Sequence, residues 1–116
     1  MPTGGKTPLS RGLMTGYDVL MKARRQDPEV MPLMVILTDG QANVAMGELP
    51  PQTEAYALSD FIASQSIHSV VIDTEHPIFE RGLARKLAQH LQGSYYRLDE
   101  LRENGLVELV RAELRR

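Results

Sequence analysis

The sequence predicts a Rossmann-like α/β domain: three layers, α/β/α, around a mainly parallel sheet. Two observations predict it. Short apolar runs without polar alternation, Leu33–Leu37 and Ser69–Ile72 above all, read as strands covered on both faces. Between them lie stripes of apolar residues at helical spacing, and the resulting alternation of helix and strand implies parallel strands joined by right-handed crossovers.

The elements follow in order. Thr7-Pro8 opens the first helix, Thr as N-cap and Pro at the first helical position, where its missing N–H costs nothing. Leu9, Leu13, Tyr17 and Leu20 recur at helical spacing, Arg24 and Arg25 suit the last turn, and Asp27-Pro28 ends the helix. Leu33–Leu37 is the first strand, expected to be buried on both faces. Residues 41–52, with Gly47 and Pro50-Pro51, read as a loop, and Ala55, Leu58 and Ile62 mark a helix from about Thr53 to Gln65. Ser69–Ile72 is the second strand and stops at Asp73-Thr74-Glu75-His76-Pro77. Phe79, Leu83, Leu87 and Leu91 step by four along a helix capped by Gly93. Ser94–Leu98 is a more polar strand, expected near an edge, and Leu106, Leu109, Val110 and Leu114 form a closing helix after Asn104-Gly105.

Composition bounds the function. The chain has 116 residues, 42% of them hydrophobic, and a formal net charge of −2. No basic field exists to steer nucleic acid or an anionic membrane. With Cys 0 there are no disulfides, thiolate metal sites or cysteine nucleophiles. No apolar run is long enough to span a bilayer, and Met1-Pro2-Thr3-Gly4-Gly5 lacks the apolar stretch of a signal peptide, so a cytoplasmic setting is the expectation.

Ligands of open parallel sheets bind outside the carboxyl ends of the strands. Those ends carry Thr38-Asp39-Gly40 and Asp73-Thr74-Glu75, and Gly4-Gly5-Lys6-Thr7 should enter the first helix at the same end. A hydroxyl and carboxylates around one crevice suit a hard divalent cation, which wants oxygen ligands. Each element also has a plainer explanation. Thr7 suits an N-cap, Asp39-Gly40 a turn, and Asp73, Glu75 and His76, a possible ligand trio, suit solvated loops. Gly4-Gly5-Lys6-Thr7 lacks the spacing and preceding strand of a phosphate loop. Arg81 and Arg85 read as helix surface rather than a binding patch, and His68 and His90 have no partner nearby in sequence. No nucleophile elbow or H-E-x-x-H motif occurs, and no catalytic set assembles.

The same residues resemble the von Willebrand factor A family. Gly4-Gly5-Lys6-Thr7-Pro8-Leu9 is similar to its second metal-site loop, and Leu33-Met34-Val35-Ile36-Leu37-Thr38-Asp39-Gly40 to the strand ending in its metal-site Asp. Asp39-Gly40-Gln41-Ala42-Asn43-Val44, Val70-Val71-Ile72-Asp73-Thr74-Glu75, Gly82–Ala88 and Gly93–Leu98 resemble the C-terminal A-type domain of magnesium-chelatase D subunits and related cobaltochelatase subunits. The family's first metal loop, D-x-S-x-S, is absent here, so its metal ligands carry over to Thr7 and Asp39 alone, with Gly5, Lys6, Gly40, Asn43, Asp73 and Glu75 as possible rim. The resemblance implies that residues 1–116 are a single partial A-type domain, its C-terminal portion, lacking N-terminal strands that would flank Leu33–Leu37. It implies a non-catalytic, Mg²⁺-dependent protein-interaction module of an ATP-dependent chelatase that inserts magnesium, or cobalt, into a tetrapyrrole such as protoporphyrin IX. The implied partners are an AAA+ ATPase subunit and a porphyrin-binding subunit. Two rival expectations stand beside it: a scaffold that self-associates through an exposed strand edge without metal, and a small metal-dependent hydrolase using Asp39 or Asp73.

Overall fold

A computed structural model describes residues 8–76, 78–79, 81–101 and 105–115, with Leu106 described by its backbone alone. The elements are α1 (Leu9–Gln26), β1 (Leu33–Thr38), α2 (Pro51–Ser64), β2 (His68–Asp73), α3 (Leu83–Leu91), β3 (Ser94–Arg97), a 3₁₀ turn (Leu98–Leu101) and α4 (Gly105–Leu114). The sheet order is β1-β2-β3, and both pairings are parallel, with Met34 opposite Ser69 and Val71 opposite Tyr95. The expected α/β architecture is therefore the observed one.

Strand residues alternate between two unequal faces. On the first, Met34 and Val71 pack with Leu13 of α1, Ala55 and Ile62 of α2, and Ala84, Leu87, Ala88 and Leu91 of α3. On the second, Val70 and Ile72 pack against Leu109 of α4, with Leu33 and Tyr96 at the margin. Three helices thus cover one face and one helix covers part of the other.

That imbalance corrects the expectation for Leu33–Leu37. The interior strand is β2, whose Ser69–Asp73 are all buried, whereas β1 lies at an edge with Val35 38% and Leu37 61% exposed. Among the described residues β1 has a neighbour on one side only, and α4 packs over Val70, Ile72 and Leu33 and leaves Val35 and Leu37 open. β3 occupies the other edge, as its polar sequence predicts.

Four boundaries also differ. α2 begins at Pro51, so Pro51 and Gln52, expected in the loop, form its first turn, where Pro is tolerated. Pro8 takes an extended conformation (φ −57°, ψ 136°) and precedes the first helical residue, Leu9; Thr7, expected as the cap, lies outside the described residues. Phe79 is 66% exposed in a turn, because α3 begins only at Leu83. The left-handed residue ending α3 is Gln92 (φ 53°), not Gly93. Gly93 serves close packing instead: a Cβ there would stand 2.2 Å from the Ser69 carbonyl oxygen, where β3 starts beside β2.

Candidate functional site

Thr38 and Asp73 are register partners, and the Thr74 N–H donates to the Thr38 carbonyl at 3.1 Å. β1 and β2 therefore end level, and the loops that follow leave side by side. Leu9 and Thr38 line one cavity of about 310 Å³, so the N-terminal end of α1 lies at this same rim.

Asp39 leads the first loop with its side chain 41% exposed. Its Oδ1 accepts from the Gln41 N–H at 2.9 Å, an Asx-type turn that Asp readily makes. Gly40 follows at φ 82°, pressed on the start of α3: a Cβ would come within 2.2 Å of the Ala84 nitrogen. Two side chains of α2 hold the rest of the loop. Gln52 donates to the Gly40 carbonyl at 2.7 Å and accepts from the Ala42 N–H at 3.0 Å. Glu54 accepts from the N–H groups of Met46 and Gly47, and the Met46 N–H, followed by the Ser10 hydroxyl, holds its carboxyl below the ordinary range.

Arg81 links the two loops. Its Nε donates to Glu75 at 2.6 Å, its backbone N–H donates to the same carboxylate at 2.8 Å, and its Nη1 donates to the Gln41 side-chain oxygen at 2.7 Å. Asp39 is its loosest partner, at 3.5 Å. The Glu75 side chain is buried, and the Arg81 guanidinium holds its carboxyl below the usual carboxylate range. Asp73 turns elsewhere: buried, it accepts from the Tyr95 hydroxyl at 2.5 Å and from the Glu75 N–H at 2.8 Å. Burial, then the Asp73 carboxylate, pushes the Tyr95 hydroxyl up from its ordinary value.

Of the residues singled out from sequence, Asp39, Gly40, Asn43, Asp73 and Glu75 lie in the loops and strand end at this rim; Asn43 accepts from the Gln41 amide at 2.7 Å. Gly5, Lys6 and Thr7 lie outside the described residues. The trio of Asp73, Glu75 and His76 does not converge. His76 is exposed and accepts from the Ile78 N–H, and among the described residues no group of three or more acidic or histidine side chains is placed to hold a metal ion. Arg81 corrects the reading of it as helix surface: it lies before α3 and ties Glu75 to Gln41 and Asp39. The histidines also have partners, His68 with Glu113 at 2.6 Å and His90 with Asp60 at 2.8 Å, pairs too far apart in sequence for any spacing rule to find. Among the described residues no helix is long and apolar enough to cross a membrane.

The architecture is thus a parallel α/β sheet with a carboxylate-bearing rim, and comparison with known proteins narrows the class. The chain is 30% identical to an uncharacterized protein of Methanocaldococcus jannaschii over 97% of its own length and 64% of that protein's. It is 36% identical to the magnesium-chelatase 67 kDa subunit of Chlorobaculum tepidum over 93% of its length. It is 32% identical to the magnesium-chelatase 60 kDa subunit of Cereibacter sphaeroides over 64% of its length. The chain spans just under two thirds of the archaeal relative, and 19% and 14% of the two chelatase subunits. No family model and no solved structure matches. Over most of its length the chain is similar to one part of magnesium-chelatase subunits.

Proposed function

We propose that this domain is a non-catalytic, metal-dependent protein-interaction module of a magnesium- or cobalt-chelatase complex, centred on Asp39 and Thr7. The observation that carries this reading is Asp39 itself: a half-exposed carboxylate at a strand end, held in place by its own loop and only loosely engaged by Arg81. The donors fit a hard cation such as Mg²⁺, being oxygen rather than sulfur or imidazole. Asp39 supplies a carboxylate whose one basic partner among the described residues, Arg81, stands at 3.5 Å, and Mg²⁺ keeps several waters and needs few protein groups. When bound, the cation supplies a positive centre for which an acidic group of a partner competes with water. The chain's own part is to present Asp39 on a braced loop, with the Thr7 hydroxyl as the second ligand that the resemblance implies. Gly40, Asn43, Asp73 and Glu75 lie around it. Val44, Met46 and Leu49, each exposed on the loop between β1 and α2, offer apolar contact beside the rim. The partners in this reading are the ATPase and porphyrin-binding subunits of the complex, met in the cytoplasm.

Isothermal titration with Mg²⁺ and Mn²⁺ tests it. Weak binding lost in Asp39→Ala is expected; tight stoichiometric binding that survives Asp39→Ala would reject the site. A second reading rests on a different observation, the free edge of β1 with Val35 and Leu37 exposed beside it: self-association through that edge, without metal. Light scattering separates the two, since a monomer at high protein concentration retires the second.

A further inference from the structure

Behind the rim, on the side away from β1, a cavity of about 260 Å³ opens between the ends of β2 and β3 and the start of α3. Asp73, Glu75, Gly82, Arg85, Tyr95 and Arg97 line it. Its hydrogen-bonding capacity is lopsided. The acceptors are engaged: Asp73 takes the Tyr95 hydroxyl and the Glu75 N–H on its two oxygens, and Glu75 takes the Nε and backbone N–H of Arg81 on its two. The donors are open. Arg85 lies with its guanidinium 4.4 Å from the Tyr95 ring centroid, and among the described residues it makes no hydrogen bond or ion pair. Among the described residues the Arg97 guanidinium spends only its Nε, on Asp99 at 3.4 Å. Gly82, the N-cap of α3, has no side chain to cap with, and its N–H faces the Glu75 carboxylate. A cavity whose carboxylates are satisfied and whose guanidiniums are not calls for an acceptor with charge.

We propose that this cavity is an anion-binding subsite that takes a single carboxylate between Arg85 and Arg97. Asp73 and Glu75 in the wall set the charge limit: a monoanion is accepted where a phosphate dianion meets repulsion from both. The stacking of Arg85 on Tyr95 fixes the plane of its fork, which favours the planar two-point match of a carboxylate. The carboxylate belongs either to a small organic acid or to an acidic side chain of another protein; the recognising chemistry is the same. This subsite does not depend on the cation reading of Asp39, since none of its donors touches Asp39.

The test is a titration of the chain, freed of metal beforehand on a chelating resin, with sodium acetate at an ionic strength held constant by chloride, following the arginine Nε–H signals by NMR. Saturable shifts of Arg85 and Arg97 are expected, and R85Q or R97Q should each weaken the affinity about tenfold, the loss of one charge-assisted bond. R111Q, on an exposed arginine of α4, should leave it unchanged. A short glutamate-rich peptide, compared with acetate and with inorganic phosphate, separates the sources: tighter binding of the peptide assigns the site to a protein partner, and equal binding to a small acid. Shifts that grow without saturation, phosphate binding more tightly than acetate, or affinity unchanged in both variants would overturn the proposal. R97Q keeps the comparison decisive if R85Q disturbs the packing on Tyr95, because Arg97 makes no ring contact. Magnesium binding at Asp39 has no bearing on any of these outcomes.

Discussion

The two faces of this sheet are built to different standards. One carries a continuous core in which Leu13, Ile62, Leu87 and Leu91 are fully buried under three helices. The other is closed by α4 over β2 and β3 and left bare over the outer half of β1, where Leu37 is more than half exposed. Fold stability therefore resides on the first face and contact with other molecules has room on the second. The rim where Asp39 and Arg81 sit joins them.

Substitution should expose that difference most strongly in the core. Leu87→Ala removes a side chain with no exposure and should cost about 2–5 kcal/mol in chemical denaturation, whereas Leu37→Ala should change stability by less than about 0.5 kcal/mol. Equal losses at the two positions would mean that the second face is covered in solution. Next in size is Gly40→Ala. Its Cβ would collide with the α3 backbone, and its φ of 82° strains any other side chain, so a loss of more than about 1 kcal/mol is expected in the same assay. Tolerance there would show that the loop after β1 is not seated on α3.

The smallest effect concerns acid. Arg81 depresses the Glu75 carboxyl, so the stabilisation it brings is complete above the unfolded carboxylate value and is lost as pH falls through the lower folded one. Arg81→Ala should return Glu75 towards its ordinary value and flatten that part of the acid limb. Carboxyl ¹³C titration reads this directly, and an unmoved Glu75 would remove Arg81 as the link between the two loops.

Much of this was legible in the amino-acid order because it depends on local pattern. Unbroken apolar runs located β1 and β2, and the acids just after them located the rim. The bare face of β1 was not legible: Leu33–Leu37 is the more apolar run, which predicts cover on both faces, yet Val35 and Leu37 are exposed. That this run lacks a strand on one side among the described residues is, by contrast, what the sequence predicts. Ser69 and His68 are polar but belong to the interior strand, His68 finding Glu113 across the fold. The Arg81 clasp was invisible for a similar reason. It joins residues about forty apart, and no spacing rule connects Gln41 or Asp39 with a residue on the approach to α3. Gly40 was legible as a turn, while the contact that requires it appears only once α3 is in place.

Whether the rim is a cation site is decided most directly by paramagnetic broadening with Mn²⁺ in amide NMR spectra of the chain and of Asp39→Ala. Losses centred on Asp39, Gly40 and Gln41, reaching Thr7 and absent in Asp39→Ala, are expected. Broadening centred on any other surface, or persisting at those amides without the Asp39 carboxylate, would contradict it.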